Sequence, residues 1–220
     1  MHVIQANDIG GVVEHIVQSI TAQLAHGRKV LWLVSGGSAV EAAAAASRQL
    51  RSIDGSKVSI TLMDERYGPV GHADENWQQL LDAGFEVPGA TLYRPLTGAG
   101  HEETTAQFEA WLERALAESD YVIGLFGIGA DGHTAGIKPH SEALGVDTLA
   151  AGYVGDDFTR ITITPACLKR VDEAVVQVFG EAKHAAVRSL LYEQIAPAEQ
   201  PAQLLKTIPN VTLYTDYTEK

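Results

Sequence analysis

Short apolar runs alternate along this chain with longer stretches whose apolar residues recur at helical spacing. Val30–Val34, Val58–Met63, Tyr121–Phe126 and Ala174–Phe179 are largely apolar runs of strand length, suited to strands covered on both faces. Val3-Ile4, Thr91–Tyr93, the alternating Thr159–Thr164 and Val211–Tyr214 predict shorter strands. Between them, Ile9–Ala25 predicts a helix ending near Gly27, and Ala39–Leu50, Glu102–Ala117 and Glu181–Ile195 predict three more. Shorter helices are expected from an Asp74 cap to about Leu81, after the cap-and-first-turn pair Thr164-Pro165, and over Pro201–Ile208. The glycine- and proline-punctuated stretch from 127 to about 155 predicts no regular element.

Strands alternating with helices imply an α/β protein, a Rossmann-like three-layer sandwich around a largely parallel sheet. There is no internal repeat, linker or low-complexity segment beyond the Ala42–Ala46 run, so residues 1–220 are expected to form one domain. Charged residues make up 20% and the net charge is −12, with no Lys/Arg-rich run, which argues against nucleic-acid binding. No apolar run approaches membrane-spanning length, and the N-terminus lacks the basic start and apolar stretch of a secretory signal. The single Cys167 rules out an internal disulfide framework. A cytoplasmic protein that does not engage a membrane is the expectation; the sequence leaves oligomeric state open.

Three apolar strands end in unusual polar sequences, and in parallel sheets ligands bind beyond the carboxyl ends of strands. Ser35-Gly-Gly-Ser38 joins a strand to a helix, where backbone N–H groups, the helix dipole and two hydroxyls can hold a phosphate; an ordinary strand–helix turn reads the same. Asp64-Glu-Arg66 places a planar guanidinium beside carboxylates, fit for an anionic or carbonyl oxygen or for a surface salt bridge. Gly127-Ile-Gly-Ala-Asp-Gly-His133 sets Asp131 and His133 among Gly127, Gly129 and Gly132, glycines that permit a sharp turn and close approach to a ligand. Lys183, in the first turn of a helix, is unfavourable to the helix dipole unless an anion sits there; a solvated lysine is the plainer reading. Arg160 precedes Ile-Thr-Ile-Thr164 and is a weaker candidate by itself.

Two other chemistries meet obstacles on the same stretch. Gly127-x-Gly129-x-x-Gly132 matches a dinucleotide fingerprint with Asp147 at tolerable spacing, but Gly136 and Pro139 break the helix that motif needs. His133 and His140 lack a third metal ligand, and Pro139 prevents a regular helical arrangement between them. Neither a nucleotide cofactor nor a metal is therefore expected. Cys167 reads as a small buried residue, not a nucleophile.

In order along the chain, Ser35-Gly-Gly-Ser38, Asp64-Glu-Arg66, Asn76, Gly127–Ala135, Arg160–Thr164 and Gly180-Glu-Ala-Lys183 resemble the 6-phosphogluconolactonase family, within the superfamily that includes glucosamine-6-phosphate deaminases. The deaminases typically carry Asp-Glu-Tyr and an Asn-Glu-Pro element; Arg66 and Thr134-Ala135 favour the lactonase side. The resemblance implies hydrolysis of 6-phospho-D-glucono-1,5-lactone in the oxidative pentose phosphate pathway, without metal or cofactor. It implies His133 as general base on water, Asp131 and the glycine loop positioning base or substrate, and Ser35–Ser38, Arg160 and Lys183 on the phosphate. Asp64, Arg66, Gly127, Gly129 and Gly132 are the further substrate-binding residues it implies, with Arg66 or loop N–H groups facing the oxyanion. A deaminase-type enzyme or a non-catalytic sugar-phosphate sensor is the alternative. The chain departs from the pattern at Ala39-Val40, at Tyr67-Gly68-Pro69 and at Gly136-Ile-Lys-Pro139.

Overall fold

The computed structural model describes residues 1–219. Its elements are β1 (His2–Gln5), α1 (Gly10–Ala25), β2 (Val30–Val34), α2 (Val40–Gln49), β3 (Val58–Leu62), β4 (Asp64–Arg66), α3 (Asn76–Asp82), β5 (Thr91–Tyr93) and α4 (His101–Glu118). They continue with β6 (Tyr121–Gly127), β7 (Ala150–Val154), β8 (Thr159–Ile163), α5 (Pro165–Leu168), β9 (Glu173–Val178), α6 (His184–Tyr192) and β10 (Asn210–Thr215). Seven strands form a sheet in the order β1-β10-β9-β6-β2-β3-β5, and every neighbouring pair runs parallel.

Alternation along the strands builds two cores. Leu31 and Leu33 of β2, with Val122 and Phe126 of β6, pack under α4 and α6 against Phe108, Leu112, Val187 and Leu190. Val30, Trp32 and Val34, with Ile123 and Leu125, face the other way and meet Val13, Ile16 and Ile20 of α1 and the alanines of α2. Both sheet faces are apolar because both are covered, the signature of an α/β sandwich. No helix among the described residues is long and apolar enough to cross a membrane.

The chain leaves β2 towards β3 and β5 on one side, then returns through β6 to β9 and β10 on the other. The reversal lies between β2 and β6, so a crevice opens at their carboxyl ends. A second, three-stranded antiparallel sheet, β4-β8-β7, stands beside that crevice. Met63 joins the two sheets: its N–H reaches Val34 O at 2.8 Å and its carbonyl accepts from Ile163 N at 2.8 Å. In this small sheet Arg66 lies directly opposite Arg160.

Several expectations change. Asp64–Arg66 is a strand, made so by pairing with β8. Ala150–Val154, inside a stretch that predicted nothing regular, is β7. Asp74 does not cap α3; Glu65, reaching over from β4, accepts the N–H groups of Asn76 and Trp77 at 2.7 and 3.0 Å. Residues 181–195 are helical only through Tyr192, starting with a 3-10 turn, and Pro201–Thr207 is 3-10 throughout. Thr164 does cap α5, accepting from Cys167 N.

Candidate active site

The three polar strand ends meet. Ser35, Gly36, Gly37 and Ser38 after β2, Asp64 and Arg66 of β4, and Gly127, Gly129 and His133 after β6 line one cavity of about 270 Å³, closed by Arg160 and Lys183. Three cations and a single carboxylate face this space in a chain of net charge −12, so the cavity is locally suited to an anion.

His133 is fixed from two directions. Its Nδ1 lies 2.5 Å from Asp131 Oδ1, and its backbone N–H donates to the same oxygen at 3.1 Å. In a neutral ring, a proton on Nδ1 directed at Asp131 leaves Nε2 as the acceptor. A Cβ on Gly129 would lie 2.2 Å from the imidazole Nδ1 and Cε1, so the ring rests on a surface only glycine provides. Burial raises the Asp131 carboxyl's pKa, but the His133 amide and ring and the Lys138 ammonium outweigh it, and the net shift is downward. The loop is braced behind: Thr134 Oγ1 donates to Gly127 O at 2.8 Å, Tyr153 Oη to Gly136 O at 2.5 Å, and Thr162 Oγ1 to Ala135 O. Ala135 sits at φ 52°, an unusual angle for a residue with a side chain, at this bend.

At the other end, Gly37 takes φ 60° and the N–H groups of Gly36, Gly37 and Ser38 find no acceptor among the described residues. They form a concave group of donors ahead of α2. Lys183 Nζ reaches Ser38 Oγ at 3.3 Å, and Gln177 Nε2 holds Ser38 O at 3.0 Å. The turn bearing Lys183 is pinned by Asp216, whose carboxylate accepts from Gly180 N at 3.0 Å and pairs with His184 Nε2 at 2.9 Å. Burial lowers the Lys183 ammonium's pKa while Asp216 pulls against it.

Arg160 is not a free cation. Asp157 holds it through two bonds, 2.5 and 2.9 Å long, and this pairing holds the Asp157 carboxyl well below the usual carboxylate range. Arg66 and Arg160 flank one ring, Phe158, at 4.5 and 5.4 Å. Burial pushes the Asp64 carboxyl upward against the pull of Arg160, His133 and Arg66.

Of the residues expected from sequence, all but Asp131 and Gly132 line the cavity. Asp131 stands behind His133, and Gly132, at φ 80°, makes the turn and accepts from Ala202 N at 2.9 Å. Asn76, Ile128, Ala135 and Gly136 also line it. Asn76 was visible only as a matched position; its side chain donates to Asp64 O at 3.1 Å and packs on Gly36. Asp157 and Tyr153 carried no signal beyond the Asp157–Arg160 spacing. No group of three or more His, Cys, Asp or Glu among the described residues could hold a metal ion.

The model of the family described as glucosamine-6-phosphate isomerases/6-phosphogluconolactonase matches residues 7–213. The chain belongs to this family. A 6-phosphogluconolactonase of Synechocystis is 30% identical over 163 residues, 68% of this chain and 67% of that protein. Among solved structures, a 6-phosphogluconolactonase from Thermotoga maritima superposes with a TM-score of 0.84 at 20% identity, covering 97% of this chain and 98% of that one. A monomeric glucosamine-6-phosphate deaminase reaches 0.77 at 18% identity, covering 98% and 97%. The backbone is thus common to both branches of the family, and the choice between them falls to side chains.

Proposed function

We propose that this protein is a cytoplasmic, single-domain hydrolase that opens 6-phospho-D-glucono-1,5-lactone to 6-phospho-D-gluconate, with no metal or cofactor. The observation that carries this reading is the His133–Asp131 pair at 2.5 Å, at one end of a cavity whose other end is a set of free backbone donors beside Lys183. A base and an anion subsite lining one cavity suit a phosphorylated sugar.

His133 Nε2 takes a proton from a water as its oxygen attacks the lactone carbonyl. The resulting imidazolium is held by Asp131, which keeps the ring in one orientation throughout. Arg66 and the N–H groups of the glycine loops are the donors for the oxyanion. Collapse of the tetrahedral adduct breaks the bond to the ring oxygen, which takes the proton back from His133. The Gly36, Gly37 and Ser38 amides, Lys183 and Arg160 hold the phosphate, Arg160 in a fork already set by Asp157. Arg66, where the deaminase branch carries a tyrosine, supports the lactonase branch.

The test generates the lactone with glucose-6-phosphate dehydrogenase and follows its loss with and without the purified protein. Catalysed loss above the spontaneous rate is expected. No acceleration, or ammonia released from glucosamine 6-phosphate instead, would refute the reading.

A further inference from the structure

Lys138 lies in Gly136-Ile-Lys-Pro139, where the chain parts from the pattern it otherwise matches. Its ammonium stands 3.1 Å from Asp157 Oδ2 and 3.8 Å from Asp131 Oδ2. Asp131 gives its other oxygen to a site residue, and Asp157 gives both of its oxygens to one, sharing Oδ2 between Lys138 and Arg160. Asp131 Oδ1 holds the His133 ring, and Asp157 Oδ1 holds the Arg160 guanidinium at 2.5 Å. One cation therefore stands between the base and the anion-binding arginine.

Its backbone is fixed on both sides. Thr134 and Ile137 exchange hydrogen bonds, Tyr153 holds Gly136 O, and His140 N donates to Ala198 O at 2.9 Å. The side chain is only about a quarter exposed (26%), so its field is incompletely screened. We propose that Lys138 is a positioning and tuning residue that serves both halves of the site. By drawing on Asp131 it limits how strongly that carboxylate favours a protonated His133, and by taking up Asp157 it leaves Arg160 more of its charge for a phosphate. The inference rests on the lactonase reading for its kinetic consequences.

The sign follows from charge. A carboxylate beside an imidazole favours the protonated ring, and a cation on that carboxylate opposes the effect. Around His133 the charged groups are Asp131 on its own loop, Asp64 and Arg66 from β4, Arg160 from β8, Lys183 from the turn before α6, and Lys138. Lys138 is the one among them that touches both Asp131 and Asp157. Lowering of the Asp131 carboxyl by Lys138, after the contributions of His133, agrees with this placement.

The experiment compares wild type, Lys138→Met and Lys138→Arg by the pH profile of kcat/KM for the lactone, corrected for spontaneous hydrolysis, and by NMR titration of the His133 ring. Lys138→Met is expected to move both midpoints to higher pH by about half a unit and to raise KM several-fold at neutral pH, with Lys138→Arg restoring most of each. A wild-type protein without turnover removes the lactonase reading, yet the NMR midpoint still tests Lys138. An active wild type whose midpoints and KM are unchanged in Lys138→Met overturns the Lys138 assignment and leaves the reading standing.

Discussion

Glu65 caps the helix that begins at Asn76, although the two residues belong to different layers of the fold. Its carboxylate accepts Asn76 N and Trp77 N and also Arg66 N, at 2.7, 3.0 and 2.8 Å. The same strand carries Asp64 and Arg66 into the cavity, so the cap fastens α3 to the site wall.

That cap predicts a pH dependence of stability. Burial, set against three backbone donors, pushes the Glu65 pKa up to about 8. A carboxyl raised in the folded state contributes its full stability below its unfolded pKa, and that contribution is lost as pH rises through the folded value. Unfolding free energy measured by denaturant between pH 5 and 8 should therefore fall in wild type relative to Glu65→Gln, by up to about 1.4 kcal/mol per pH unit. Parallel curves for the two proteins would contradict the burial argument.

Asp131→Asn tests the pair behind the base. The amide still packs but no longer stabilises an imidazolium, and kcat for the lactone should drop by about 10²-fold with the melting temperature nearly unchanged. Retention of wild-type kcat would remove Asp131 from the mechanism.

Gly129→Ala is a purely steric test. The added methyl group meets the His133 ring and Asp131 Oδ1, which lies 2.7 Å from the ideal Cβ position. Displacing the base by about an ångström should lower kcat roughly 10²-fold. A crystal structure of the variant with the ring unmoved, or an undiminished kcat, speaks against glycine being required there.

Asp216→Ala separates substrate holding from chemistry. Without its bonds to Gly180 and His184 the Lys183 turn loses its anchor. KM should rise about tenfold while kcat changes little, as expected when uniform binding is lost. Equal losses in both constants would place Asp216 in the chemical step.

Much of this was legible before the structure. Val30–Val34 and Tyr121–Phe126 announced themselves because a parallel strand covered on both faces must be apolar throughout. Ser35–Ser38 and Gly127–His133 followed as their ends. Asp64–Arg66 read only as the polar end of the preceding strand because three charged residues carry no strand signal; pairing with β8 makes it a strand of its own. Ala150–Val154 was hidden in a glycine- and proline-punctuated stretch and likewise owes its strand to pairing with β8. The tie of Asp157 to Arg160 and the reach of Asp216 to Gly180 are tertiary contacts between unremarkable surface-type residues, and no local pattern encodes them. His133 and Asp131 were conspicuous, whereas the hydrogen bonds that brace their loop from Tyr153 and Thr162 were not.

Arg66 and Arg160 face each other across β4 and β8 on either side of Phe158. Like charges at directly opposed strand positions destabilise a sheet by a few tenths of a kcal/mol or more. An anion held in the cavity they line binds the folded chain and not the unfolded one, so added inorganic phosphate is expected to raise the melting temperature with concentration. Under the lactonase reading the expected stabiliser is the sugar phosphate itself, so heat resistance would report how full the site is.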